Sequence, residues 1–219
     1  MSLSELWSLY GQNYIDALLA TWGMTLESFA IAMMLAVAVT VMRVSPLKPL
    51  RVFGDLFVQV FRNIPGIALL IIVVYALPPL KVVLPYRTCV IVATVLLGSA
   101  FGSENFMSGI NTVGVGQVEA ARSLGMSFSR ILAKIVIPQA LRSSVLPMTN
   151  LFIAVMLTTA LGSQVPLKPQ ELTGVVSYIN TRSLGGVAAF FISALGYLGT
   201  AFVVSHIGNY IDKKVRILR

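Results

Sequence analysis

Two glutamates interrupt long apolar stretches of this sequence, where a charged group is costly and is therefore a candidate for chemistry. Glu104 lies within the stretch 88–110, and Glu27 lies within the stretch 22–42. A charged side chain at the centre of a membrane helix costs roughly 2.5–3.5 kcal/mol on insertion scales. Three interpretations of Glu104 are open: it binds an ammonium group, it pairs with Arg62 as a structural strut, or it approaches the membrane interface. Glu27 is close to one end of its stretch, which favours the interface.

Other side chains that could do chemistry are few. Cys89 is the only cysteine, so it cannot form an intrachain disulfide, and His206 is the only histidine. One Cys and one His cannot assemble the ligand clusters that metal sites need. We interpret His206 as a packing or interfacial residue, and we expect this chain to bind no metal and no cofactor of its own.

A polar segment, residues 111–143, separates two apolar stretches and has the pattern of two short helices joined by a glycine. Residues 117–124 predict the first helix, Gly125 ends it, and residues 129–136 predict the second. Pro138 is then expected to break or kink the chain, because proline in a helix interior removes a backbone hydrogen bond.

The first helix of this segment has small residues on one side. Ala120, Ala121 and Leu124 are expected to share one face, with Glu119 on its flank. A face of this kind suits docking into a groove of another protein, and it equally suits a solvated helix within a loop. The pattern alone leaves both interpretations open.

The composition indicates that these residues are carried by membrane helices. Of the 219 residues, 57% are hydrophobic and only 11% are charged, and the mean hydropathy is +0.86. An ordinary soluble domain has about 25% charged residues. A soluble globular domain, a disordered chain and a disulfide scaffold are therefore excluded. We predict an all-α, polytopic membrane protein with a single domain over residues 1–219.

Five intervals are long and apolar enough for a spanning helix, which needs about 20 residues. The predicted spans are 22–42, 56–77, 88–110, 144–162 and 187–208. Residues 163–186 are predicted to form a loop between the last two spans.

The basic residues predict the orientation of these spans. Of the 16 Lys and Arg residues, 12 fall after the first span, between the third and fourth, or after the fifth, and four fall on the other side. Because basic residues collect on the cytoplasmic side, we expect the N-terminus outside, and the C-terminus and segment 111–143 in the cytoplasm. This bias also accounts for the net charge of +8 without a nucleic-acid partner.

Segment 111–143 carries a spaced motif. It contains Glu119, Ala120 and Ala121, then Gly125, and then Ile135, Ile137 and Pro138. This arrangement resembles the EAA motif of the membrane subunits of ABC importers, E-A-A-x3-G-x9-I-x-L-P, with isoleucine replacing the leucine. A spacing kept over twenty residues makes the resemblance specific.

Shorter runs narrow the resemblance to polar amino-acid importers, and among them to the glutamate-type permeases of actinobacteria. The likeness to polar amino-acid importers is carried by Arg62-Asn63-Ile64-Pro65, by Ser103-Glu104 followed by Gly109-Ile110, and by Pro138-Gln139-Ala140-Leu141-Arg142 followed by Pro147 and Asn150. The likeness to the glutamate-type permeases is carried by the run G-I-N-T-V at residues 109–113 and the run G-Q-x-E-A-A-R-S-L-G at residues 116–125.

The resemblance implies a permease of the type I importer fold with a cytoplasmic coupling helix, in a bacterial plasma membrane. It further implies two paired permeases, two ATPase subunits that bind ATP and Mg²⁺, and an extracytoplasmic binding protein that delivers glutamate or glutamine. The residues implied to couple to the ATPase are Glu119, Ala120, Ala121, Gly125, Ile135 and Pro138. The residues implied to line a substrate pathway are Arg62, Asn63, Pro65, Glu104, Asn150, Thr158 and Thr159.

Two positions depart from the family pattern. The arginine expected three residues after Glu104 is Met107, and the lysine expected before Thr158 is Leu157. Because a pathway for a polar substrate has lost two cations, we expect a heterodimer whose non-identical second permease carries much of the substrate site.

Two other classes of protein are alternatives: a membrane-embedded enzyme, and a transporter or channel that works without an ATPase. The enzyme would need a catalytic set such as H-E-x-x-H or paired aspartates, which the sequence lacks. The independent transporter would need no docking segment. The sequence also lacks the G-x4-G-K-[ST] phosphate loop, so this chain is not itself the ATPase.

Overall fold

The computed structural model describes residues 2–182 and 186–215, and the all-α prediction is confirmed, with no strand within those ranges. Arg216 and Arg219, which contribute to the predicted orientation, lie outside the described residues. The α-helices are α1 (Leu3–Val44), α2 (Lys48–Asn63), α3 (Gly66–Ile71), α4 (Tyr86–Asn111), α5 (Val115–Ser123), α6 (Phe128–Ile131), α7 (Ile137–Ser143), α8 (Val145–Thr158), α9 (Leu172–Asn180) and α10 (Gly186–Val215). Two π-helical turns, Ile72–Ala76 and Leu132–Val136, and two 3₁₀ turns, Pro78–Leu80 and Thr159–Gln164, extend or join them.

Four helices are long and apolar enough to cross a membrane. They are α1, α4, α10, and α8 together with its 3₁₀ extension to Gln164. A fifth is present if the segments Lys48–Asn63 and Gly66–Leu80 are counted as one broken span. These elements cover the intervals from which spans one, three, four and five were predicted.

The second predicted span, 56–77, is not one straight helix. Its two parts meet at an angle of 103°, and both Ile64 and Pro65 have extended backbone angles. Proline lacks the amide hydrogen that would continue α2, and its ring disfavours helical angles at the preceding residue. The absence of charge over residues 63–80 predicts burial in lipid, but it carries no information about a bend.

Helices α1 and α4 cross closely because small residues face each other there. Gly98 and Gly102 of α4 lie opposite Ala32 and Ala36 of α1, both of which are fully buried. A Cβ built at Gly102 would lie 2.9 Å from the Cβ of Ala36, and one built at Gly98 would lie 3.2 Å from that of Ala32. The G-x-x-x-G spacing on α4 is typical of close helix pairs in membranes, where packing and not water drives association.

The interval 163–186, predicted as a loop, contains the helix α9. Glu171 precedes α9 and is fully buried, and its carboxylate accepts hydrogen bonds from the amides of Thr173 and Gly174, both at 2.6 Å. The Tyr197 hydroxyl donates to the same carboxylate at 3.0 Å, which joins α9 to α10. Burial raises the pKa of the Glu171 carboxyl, and the hydrogen bonds it accepts oppose that rise. An acidic N-cap was the sequence signal for this helix.

Candidate functional site

The helix α5 ends in a turn that requires glycine. Gly125 has φ = +76°, the left-handed region that side chains disfavour. Its amide donates to the carbonyl of Arg122 at 2.9 Å, and the amide of Met126 donates to that of Ala121 at 3.1 Å. These two bonds define a Schellman motif, in which a left-handed residue closes the helix.

Replacing Gly125 with alanine is expected to destabilise this turn by about 1–2 kcal/mol, the usual penalty for an L-residue in left-handed geometry. A Cβ there would meet no atom within 4 Å, so the penalty is conformational and not steric. We expect a lower unfolding midpoint for Gly125→Ala, weaker transport in the assay that the resemblance to ABC importers implies, and milder losses for Gly125→Asn. Gly116→Ala is the matched control, because Gly116 lies inside α5 with open space around it. A Gly125→Ala protein that matches this control in both measurements would contradict the assignment of the turn.

One side of α5 is fixed to the rest of the protein by an apolar cluster. Ala121 is 3% exposed and packs with Val113, Ile131 and Val136. The prediction that Ala120, Ala121 and Leu124 share one outward face is therefore wrong for Ala121. That residue is 100° away from Ala120 around the helix, and the turn at Gly125 folds the following helix against it.

The other side of α5 is exposed in the part of the chain that the structure describes. Glu119 and Ala120 are exposed, and Leu124 is 83% exposed. We call these three residues the outer face of α5. A leucine this exposed beside a small residue is a surface on which a partner can pack closely.

Of the two outcomes expected at Pro138, a break or a kink, the break is absent, because the chain remains helical past this residue. The segments α6, Leu132–Val136 and α7 follow one another without an interruption from Phe128 to Ser143. Pro138 lies in the first turn of α7, directly after the π-helical turn. Proline cannot donate a backbone hydrogen bond, and the wider π-helical turn before it makes the missing bond tolerable. The helix is therefore adjusted and not broken. Ile135, within that turn, is half-buried against the cluster that holds α5.

Segment 111–143 is joined tightly to the end of α4. The carbonyl of Gly109 accepts hydrogen bonds from the hydroxyls of Thr112 at 2.7 Å and Ser143 at 3.4 Å. A Cβ at Gly109 would lie 2.7 Å from the carbonyl oxygen of Ala140, so only glycine permits this approach. A displacement of α5 would therefore be transmitted to α4 and α7.

A cavity of about 1030 Å³ lies between the bend after α2, the helix α4 and the helix α8. Its polar lining residues are Arg62, Thr94, Asn105, Asn150, Thr158 and Gln164. Three of the predicted pathway residues are thus brought together: Arg62, Asn150 and Thr158. The other three, Thr94, Asn105 and Gln164, were not predicted from the sequence. They are far apart in the chain, and no motif indicates that they share a cavity.

The remaining predicted pathway residues lie outside the lining of this cavity. The Asn63 amide donates to the carbonyl of Gln59 at 2.6 Å at the end of α2. Pro65 forms the bend. Thr159 is fully buried, and its hydroxyl donates to the carbonyl of Met156 at 2.6 Å. Glu104 belongs to an ionic network that includes the lining residue Arg62.

That network joins the helices α1, α2 and α4. One carboxylate oxygen of Glu104 lies 3.2 Å from the Arg43 guanidinium and 3.4 Å from that of Arg62. Arg43 also pairs with Asp55 at 2.8 Å and donates to the Ser103 hydroxyl at 3.2 Å. Of the three interpretations of Glu104, the structure thus contains the pairing with Arg62, and it adds Arg43 and Asp55, which the sequence analysis did not find. Glu27 pairs with Arg87 at 2.7 Å.

Long apolar helices, a short exposed helix and a cavity between the helices are together features of a membrane transport component. A family model described as the inner membrane component of binding-protein-dependent transport systems matches residues 28–217. The chain belongs to this family. Its members are multi-pass membrane permease subunits of ABC importers, and they work with separate ATPase partners.

Individual relatives cover nearly the whole chain. It is 32% identical to the glutamate transport system permease protein GluC of Corynebacterium efficiens, over 90% of this chain and 91% of that protein. It is 30% identical to the L-cystine transport system permease protein TcyB of Bacillus subtilis, over 95% of this chain and 91% of that protein.

Solved structures share the fold. A crystal structure of an amino acid ABC transporter with histidines contains a chain that matches with a TM-score of 0.91 at 23% identity, over 98% of this chain and 99% of that one. An inward-facing structure of the MetNI methionine ABC transporter matches with a TM-score of 0.74 at 19% identity, over 99% of this chain and 100% of that one.

Proposed function

We propose that this chain is one permease of an importer for a polar amino acid, glutamate or glutamine, and that the outer face of α5 docks into a groove on the ATPase. The observation that carries the proposal is the geometry of α5, which has one face packed against Ile131 and Val136 and the other face exposed. The glutamate, cystine and glutamine permeases among the relatives support the substrate class.

The mechanism follows from the connections of α5. ATP binds to the partner ATPase with Mg²⁺, and closure of the ATPase pair displaces α5. The packing of Ala121 and Gly109 transmits this displacement to α4 and α7, and so to the walls of the cavity. The cavity then opens alternately to the two sides of the membrane. Alternation of this kind needs rigid contacts between helices, because packed interfaces switch between discrete arrangements.

The partners in this proposal are two ATPases, an extracytoplasmic amino-acid-binding protein, and a second permease of different sequence. Leu157, which replaces a family lysine, is 51% exposed and lines the cavity, so this chain provides no cation at that position. The N-terminus lies outside and the C-terminus in the cytoplasm.

The test is reconstitution of this chain with its second permease, ATPase and binding protein in liposomes. We expect uptake of radiolabelled glutamate or glutamine that requires ATP on the ATPase side and the binding protein on the other. Uptake that proceeds without the ATPase would overturn the proposal. A purified active complex with two copies of this chain and no second permease would overturn the heterodimer.

A further inference from the structure

The cavity has an uneven distribution of charge. Among the residues that the structure describes, Arg62 is the only charged one in the lining, and the other polar lining groups are amides and hydroxyls. Within the same ranges, no carboxylate belongs to the lining. A cationic side chain that entered this cavity would therefore meet a like charge and no counter-ion in the lining, which costs free energy.

The charge of Glu104 is already neutralised by its ion-pair partners, and Glu104 is not among the residues that line the cavity. Its carboxylate is shared between two guanidinium groups, and the contact with Arg43, at 3.2 Å, is the shorter one. The Arg43 side chain is only 12% exposed and is held by Asp55 as well. If Arg62 turned away, Glu104 would remain neutralised by Arg43.

Arg62 is held more loosely than Arg43. Its side chain is 39% exposed, and a single nitrogen contacts Glu104 at 3.4 Å. The guanidinium lies over the ring of Phe101, with 5.4 Å from its central carbon to the ring centre. A guanidinium has five N–H donors in a planar fork, which matches a carboxylate. Arg62 thus keeps donors for a ligand while Glu104 and Phe101 fix its position.

We infer that Arg62 is the specificity-determining residue of this half of the pathway. It binds a carboxylate of the substrate and excludes amino acids with cationic side chains, while Glu104 and Arg43 position it and do not contact the substrate. The inference rests on the proposed function and gives a physical reason for its substrate class, because neither glutamate nor glutamine has a cationic side chain.

The test is equilibrium binding of radiolabelled L-glutamate, L-glutamine and L-lysine to the purified complex of this chain with its second permease and ATPase. The solute-binding protein is omitted so that only the permease site is measured. The binding curve also gives the number of sites per complex. A site on the second permease is therefore counted separately from the site on this chain. For the unmodified complex we expect glutamate or glutamine to bind and lysine to bind at least tenfold more weakly.

Arg62→Gln is expected to weaken glutamate binding by about 10- to 100-fold, the usual loss for hydrogen bonds to a charged group. Equal losses for glutamate and glutamine place the α-carboxylate at Arg62, whereas a loss for glutamate alone places the side-chain carboxylate there; both results support the inference. Arg62→Lys should restore part of the affinity. Arg51→Gln is the matched control, because Arg51 is exposed on the same helix and does not line the cavity.

Glu104→Gln separates a positioning role from a direct one. If Glu104 only positions Arg62, Glu104→Gln weakens the binding of glutamate and glutamine and leaves the already weak binding of lysine unchanged. If Glu104 binds the substrate ammonium, all three amino acids bind more weakly, which overturns the inference. Unchanged glutamate affinity in Arg62→Gln, or lysine that binds as tightly as glutamate, overturns it too. A complex that binds none of the three amino acids and does not transport them overturns the proposed function as well.

Discussion

Replacing Ala120 with arginine is expected to reduce ATP-driven uptake by at least about 30-fold. Ala120 lies on the outer face of α5, where the partner ATPase is proposed to pack. A long charged side chain there would prevent close approach, and central interface positions cost 2 kcal/mol or more when disrupted. The isolated chain should fold normally, because Ala120 is exposed and has no partner to lose. Uptake into liposomes and copurification of the ATPase measure the two effects.

Ala133→Arg is the matched control for this prediction. Ala133 is an exposed alanine in the π-helical turn of the same segment, away from the outer face of α5. We expect this variant to keep its ATPase and most of its uptake. Leu124→Asp, on the outer face, should behave like Ala120→Arg. Normal copurification and uptake in both outer-face variants would show that the ATPase docks elsewhere.

Replacing Gly102 with leucine is expected to destabilise the permease by about 3 kcal/mol. The new Cβ would lie 2.8 Å from the Cε of Met33 and 2.9 Å from the Cβ of Ala36. Met33 can move, but Ala36 is a fully buried part of the α1 wall, so the two helices must separate. Overpacking in a filled core costs 1–3 kcal/mol or more. A fall in the unfolding midpoint of the purified protein in detergent would measure the loss.

Helix propensity favours the same substitution, because leucine is a better helix former than glycine. This contribution has to be separated from the measured change in stability. Leucine is favoured over glycine in a helix by almost 1 kcal/mol. Gly199→Leu on α10 isolates this term, because a Cβ at Gly199 meets no atom within 4 Å. We expect Gly199→Leu to be neutral or stabilising. If Gly102→Leu were equally stable, the close crossing of α1 and α4 would be incorrect.

The sequence reveals only part of the two features on which these predictions depend, the exposed face of α5 and the close crossing of α1 and α4. The position of the α5 turn follows from the local chain, because a glycine after a short amphipathic helix is the usual left-handed cap. Which alanine faces outward does not follow, since Ala120 and Ala121 are equivalent in composition. The packing of Ile131 and Val136 against Ala121 decides it.

The crossing of α1 and α4 is likewise only partly visible in the sequence. The G-x-x-x-G spacing of Gly98 and Gly102 is visible in the sequence and indicates a close helix contact. It does not identify the partner, because several apolar helices carry small residues. Only the fold places Ala32 and Ala36 opposite these glycines.

The sequence by itself determined the class of protein, the number of apolar helices and the turn at Gly125, because hydropathy and helix capping depend on neighbours within a few residues. The tertiary structure decided the bend at Pro65, the cavity, and the sharing of Glu104 between Arg62 and Arg43. Arg43 and Glu104 are about sixty residues apart in the chain. Their contact depends on how two helices cross and rotate, and that is determined by the packing of all the helices together.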